Sequence, residues 1–159
     1  MKFLRKKDEI GYMLASMQAR IFERSAKEGI PSYFFIQTLA NSFDAYQLDN
    51  LSFLLSGSSE IEVYMNTKRH TKKKKGFVYS EQVMHWMGFF YRYASYLTNI
   101  SSKQLFKKIN PKYLSSVYPL YHSVDIVKAV EMVFEDVDFS KMTPSERFLN
   151  LYKKHKIIL

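Results

Sequence analysis

The chain is predicted to be all-α: a compact multi-helix bundle around a buried central helix at about 80–98, with one exposed lysine-rich loop at about 67–76. Three observations point there. Apolar residues recur at three- and four-residue steps, with no sustained alternation of the kind a half-buried strand needs. Glycine and proline are scarce, at five and four residues, too few for the tight turns of an all-β protein. Thirteen Phe, twelve Tyr and one Trp supply large rings, each able to bury on the order of 150–250 Å², enough for a core of crossing helices. A chain of 159 residues fits one domain, and a single helical domain over 1–159 is expected.

From Phe3 to Lys27, Ile10, Met13, Leu14, Met17 and Ile21 fall on one helical face. Gly29 and Pro31 stop that helix. Helical spacing resumes over Ser32–Ala45, with Phe35, Ile36, Leu39, Ala40 and Phe43 on one side. Residues Leu48–Leu55 read as a turn and a short apolar piece, and Gly57-Ser58-Ser59 opens a helix over Glu60–Lys68. The loop from Thr67 to Gly76 is read as exposed and mobile, because its like charges repel and it offers little to a core. Ser80–Thr98 is apolar nearly all round, through Val83, Met84, Trp86, Met87, Phe90, Tyr93, Ala94 and Leu97, as befits a helix in the middle of a bundle. Short capped helices follow. Ser101-Ser102-Lys103-Gln104 has capping-box spacing, and Asn110-Pro111 places proline in a first turn. Ser123 with Asp125 starts a helix running to about Glu135, with Ser123 read as its cap, and Thr143-Pro144-Ser145-Glu146 starts the last.

The net charge is +9, but Lys68, Arg69, Lys72, Lys73, Lys74 and Lys75 hold six of the positive charges in one short segment. This is a nearly neutral domain with a basic loop, suited to phosphate backbones, to an acidic protein surface, or simply to solvation. There is no cysteine, so disulfides, thiolate metal sites and thiol catalysis are excluded. The first nine residues lack a long apolar run, and no stretch approaches a membrane span. A cytoplasmic location and no membrane partner are therefore expected.

Catalytic signals fail on their spacing. His122, Ser123 and Asp125 lie too close in sequence to converge as a triad, whose members come from separate elements. His70, His85, His122 and His155 have no partner at metal-ligand spacing, and neither a calcium loop nor a phosphate-binding glycine loop is present. No metal, cofactor or catalytic residue is assigned. Residues 94–109 superficially fit a helix-turn-helix, with Lys103, Gln104, Lys107 and Lys108 as possible DNA contacts. Against that, the first helix is very aromatic, and a plain corner between two helices gives the same string. Arg92, between Tyr91 and Tyr93, must reach solvent or find a carboxylate, so it is either an ion-pair member or the polar floor of a groove.

One order of motifs stands out: Tyr79-Ser80-Glu81, His85-Trp86-Met87-Gly88, Tyr91-Arg92-Tyr93, Ser101-Ser102-Lys103-Gln104, then Tyr118-Pro119-x-Tyr121-His122-Ser123-x-Asp125. Over roughly residues 14–135 it resembles a family of small bacterial helical proteins that are often encoded beside ADP-ribosyltransferase-like toxin genes. The chain differs from that pattern in its lysines at 72–75, in Ala94 where a larger aromatic is usual, and in the tail from Asp136. The resemblance implies an antitoxin-like or inhibitor-like role, acting by stoichiometric contact with a toxin or other effector, and it carries no catalytic residue. It marks Tyr91, Arg92, Tyr93, Ser102, Lys103, Tyr121 and His122 as partner-binding residues, with the lysines steering association. The alternatives are nucleic-acid binding, through 94–109 or the lysine loop, and inhibition of a defence enzyme by a phage or mobile-element protein.

Overall fold

The computed structural model describes residues 3, 5 and 8–155, and among these the regular structure is helical throughout. The elements are α1 (Glu9–Lys27), α2 (Ser32–Ala40), α3 (Phe43–Asp49), α4 (Phe53–Ser56), α5 (Glu60–His70), α6 (Glu81–Thr98), α7 (Ser102–Lys108), α8 (Pro111–Ser116), α9 (Tyr118–Tyr121), α10 (Ile126–Ser140) and α11 (Pro144–His155). The all-α expectation therefore holds, and α6 is the buried centre: every residue from Tyr91 to Leu97 is inside.

Helices α1 and α6 run antiparallel and pack along their lengths. Two glycines allow the close approach. A Cβ on Gly88 would lie 2.7 Å from the Gln18 carbonyl oxygen, and one on Gly11 would lie 2.5 Å from the Tyr96 ring. The face that α1 buries is thereby turned from the one its apolar spacing marks. Leu14, Met17 and Ile21 are inside as expected, but Ile10 and Met13 are exposed, and Gly11, Ala15, Gln18 and Phe22 take their place. Small residues and a polar one carry no apolar signal, so periodicity alone aims the helix slightly wrongly. The remaining helices wrap this pair, and one contiguous apolar cluster runs from Leu14 to Val137.

Local capping sets the boundaries. Asp8 caps α1, so the helix begins later than Phe3, and positions 1, 2, 4, 6 and 7 lie outside the described residues. The single helix expected over Ser32–Ala45 is two, because the Ser42 hydroxyl accepts the Ala45 amide and starts α3, leaving Phe43 exposed. The capping box at Ser101–Gln104 forms as read, and Thr143 with Glu146 forms a second one at the start of α11. At α10 the cap is Asp125, whose Oδ2 accepts the Val127 amide, rather than Ser123.

The lysine-rich segment is shorter and better anchored than expected. Helix α5 continues to His70, with Thr67 and Thr71 buried and their hydroxyls bonded back to Val63 and Thr67 carbonyls. The extended stretch that follows is tied to the start of α2. The Ser32 amide donates to the Phe77 carbonyl at 3.0 Å, and the Tyr79 amide donates to the Ser32 hydroxyl at 2.9 Å.

Candidate functional site

The polar centre of the fold is Arg92, with 2% of its surface exposed. Its Nε donates to Gln18 Oε1 at 3.0 Å, its Nη1 to Asp49 Oδ1 at 2.6 Å and its Nη2 to Ser102 Oγ at 2.8 Å. Ser102 in turn donates its hydroxyl to Asp49 Oδ1 at 2.6 Å, and its amide to Asp49 Oδ2 at 3.0 Å. Burial lowers the guanidinium's pKa, and the carboxylate of Asp49 opposes that shift. Four helices, α1, α3, α6 and α7, thus meet on one guanidinium. Of the two roles read for Arg92, the geometry gives the ion pair: a structural network in which each guanidinium nitrogen has a partner and the lining space is only about 20 Å³.

Its neighbours are equally internal. Tyr91 is buried and donates its hydroxyl to the Ile109 carbonyl at 2.6 Å, with burial driving its pKa well up. Tyr93 is fully buried and stacks on Phe89. Tyr91, Arg92 and Tyr93 therefore sit in the core. Ser102 joins the Arg92 network, whereas Lys103 is exposed. Tyr121 is half-buried and donates to Asp136 Oδ2 at 2.7 Å, which lifts its pKa to about 12. His122 is exposed, stacks on Tyr118 at 4.4 Å, and donates Nδ1–H to the Tyr118 carbonyl at 2.8 Å.

His122 belongs to an open aromatic groove. It is lined by Glu23, Gln82, His85, Trp86, Phe89 and Tyr118 together with His122, with a volume of about 390 Å³. Trp86 meets Tyr118 edge-on at 5.8 Å, and His85 lies 3.4 Å from Glu23. Phe89 carries the strip onward to exposed Tyr12, edge-on at 5.4 Å, beside a second opening formed by Asp8, Glu9, Tyr12, Met13 and Tyr93. Trp86, which the spacing counted with the core, and Phe89 are half-buried and pack on the core as well as lining this groove; the spacing did not single out Phe89 or exposed Tyr12. The available signal was the run Gln82, His85, Phe89 along one helical stripe.

The basic segment divides. Lys68 pairs with Glu28 at 2.6 Å, and Arg69 bonds Asn66. Lys72, Lys73, Lys74 and Lys75 are exposed, and Lys74 lies over the Phe34 ring at 6.0 Å. In the helix-turn-helix segment, α6 ends in Asn99 with φ 59° and α7 has only two turns. Lys108 of α7 is committed to Asp138 at 2.9 Å, while Lys103 and Lys107 are exposed. Asp125 of the His-Ser-Asp cluster caps α10. Among the described residues no three His, Cys, Asp or Glu side chains converge as metal ligands would, and no helix is long and apolar enough to cross a membrane.

No family model, curated protein or solved structure matches the chain. The functional reading therefore rests on its own surfaces, and two stand out: the aromatic groove beside α6, and the lysines around α2 and α7.

Proposed function

We propose that this chain is a non-enzymatic binding protein, antitoxin-like or inhibitor-like, acting by stoichiometric contact with a partner protein through the aromatic groove beside α6. The groove is the observation that carries the reading. Large rings in a concave, partly wet setting are the groups from which interface hot spots are built, because each removes much apolar area from water at low conformational cost. His85 and Glu23 add a polar pair at the rim for orientation. The resemblance adds weight, since His85, Trp86, Tyr118 and His122 of its motifs line this groove. Inhibition of a defence enzyme would use the same contact toward a different target, and either encounter fits a cytoplasmic setting.

The test is a titration of the chain into the effector protein encoded beside its own gene. A complex saturating at one to one is expected, weakened about 10-fold or more by Tyr12→Ala and by His122→Ala, both exposed positions whose loss leaves the core intact. Inhibition at a small fraction of one equivalent, or unchanged affinity in both variants, rejects the reading.

A further inference from the structure

The fold brings together two basic segments that lie apart in sequence, and it sets rings between them. On one flank of α2, Lys74 lies over Phe34, and the segment Lys72–Phe77 is tied to Ser32. On the other flank, Tyr33 packs on Phe106 of α7 at 5.4 Å. Lys103 and Lys107, one turn apart on α7, are exposed on the side of that helix next to Phe106. Phe77 is 73% exposed at the end of the lysine run, held edge-on to Tyr79 at 5.1 Å, and Tyr33 is 41% exposed. The elements that build this face, α2, the segment Lys72–Tyr79 and α7, contain seven Lys and no Arg, Asp or Glu, and of these lysines Lys108 is paired with Asp138.

From this we infer that the face formed by Lys72–Lys75, Phe77, Tyr33, Lys103 and Lys107 binds single-stranded nucleic acid, with the lysines on the phosphates and the exposed rings stacking on bases. The inference is independent of the aromatic groove. Lysine is a point charge that suits sequence-neutral phosphate contact. Among nucleic acids, rings among lysines favour a strand whose bases are unpaired, because a duplex shows its charge but hides its base faces. The α7 lysines flank the contact with α2 instead of leading a helix into a groove, which argues against major-groove readout by this corner.

The test is anisotropy with a labelled oligouridylate and an oligothymidylate of roughly 12 nucleotides, within the usual range of single-strand sites. A duplex of the same length and polyglutamate serve as comparisons. Expected is binding to the single strands at least about 10-fold tighter than to either comparison. With four to six lysines engaged, log affinity should fall with log salt at a slope of about −3 to −4, since each neutralised phosphate contributes about −0.7. Phe77→Ala should weaken binding about 10-fold. Lys103→Gln with Lys107→Gln should flatten the slope by about 1 to 1.5. Lys153→Gln with Lys154→Gln, on exposed α11, should change nothing. All replaced side chains are surface groups, and circular dichroism verifies each fold. No single-strand binding at low salt overturns the inference. So does equal affinity for polyglutamate, which marks an acidic-protein surface. So does a Phe77→Ala and Lys103/Lys107 pair that bind like wild type, which reduces the effect to loose charge on the loop.

Discussion

Arg92 Nη1 donates to Asp49 Oδ1 across 2.6 Å, joining the middle of α6 to the last residue of α3. The pair is nearly sealed, with side-chain exposures of 2% and 16%. Replacing Asp49 with Ala strands a buried guanidinium and also removes the acceptor for the Ser102 amide, so a loss of about 3–5 kcal/mol is expected in urea denaturation. The double variant Arg92→Met with Asp49→Leu should lose less than Asp49→Ala alone, because no charge remains to be desolvated. A loss under about 1 kcal/mol in Asp49→Ala would show that the network does not hold the helices.

Gly88→Ala tests the α1–α6 contact. Helix propensity alone favours alanine by about 1 kcal/mol. The new Cβ, however, would sit 2.7 Å from the Gln18 carbonyl oxygen and 2.8 Å from the Phe22 ring, and a backbone atom cannot swing aside as a side chain can. Net destabilisation of about 1–3 kcal/mol is expected, read as a lower thermal midpoint. A stabilised variant would mean the two helices are free to move apart.

Acid should act through Glu28. Lys68, bonded at 2.6 Å, then the nearby Tyr64 hydroxyl and Arg24, bonded at 3.1 Å, lower its folded pKa to about 2 from 4.5. A depressed carboxylate contributes stability above its unfolded pKa and loses it as pH falls through the folded one, so the affected window is pH 4.5 down to about 2. Glu28→Gln should flatten that part of the stability–pH curve, measured by urea midpoints. An unchanged acid limb would contradict the assignment.

Base should act through tyrosines. Tyr96, buried and donating to the Asp8 carboxylate at 2.7 Å, has its pKa raised from 10.0 to about 12, and Tyr121 is raised similarly by Asp136. A raised pKa means stability is complete below pH 10 and drains as pH rises toward 12. Tyrosinate absorbance should therefore climb together with unfolding, and Tyr96→Phe should flatten the alkaline limb. Ionisation well before any loss of helix signal would show these hydroxyls to be free.

How far the sequence revealed this molecule depended on whether the signal was local. Caps at Ser101 and Asn110 were legible because the groups that satisfy one another lie within three residues. The centrality of α6 was legible because its apolar residues surround it. The role of Arg92 narrowed to two choices, and its partners did not show at all: Gln18 and Asp49 lie 74 and 43 positions away and look like ordinary helical polar residues. The spacing placed Tyr93 in the core while the resemblance marked Tyr91 and Tyr93 as partner-binding, and Phe89 and Tyr12 passed unnoticed. Two basic segments were visible separately. That α2 lies between them is a consequence of packing, which periodicity does not encode.

The C-terminal helix α11 should behave as a loosely held unit. Its hold on α10 runs through Arg147, whose Nη2 donates to the Ser140 carbonyl at 3.0 Å and Nε to the Phe139 carbonyl at 3.2 Å, with the guanidinium over the Phe139 ring at 5.4 Å. These are end carbonyls of α10, of which that of Phe139 also accepts the Met142 amide at 3.1 Å, and a cation is well placed against them. The second tie, Lys154 to Glu135 at 3.1 Å, is exposed on both sides and contributes little. Phe148, Leu149 and Tyr152 remain largely outside. Arg147→Ala is thus expected to lower global stability by only about 1 kcal/mol, while speeding amide exchange in α11 and at the end of α10 and leaving α6 protected. If exchange in α6 accelerated equally, α11 would have to be part of the cooperative core, and its exposed rings would need a different account.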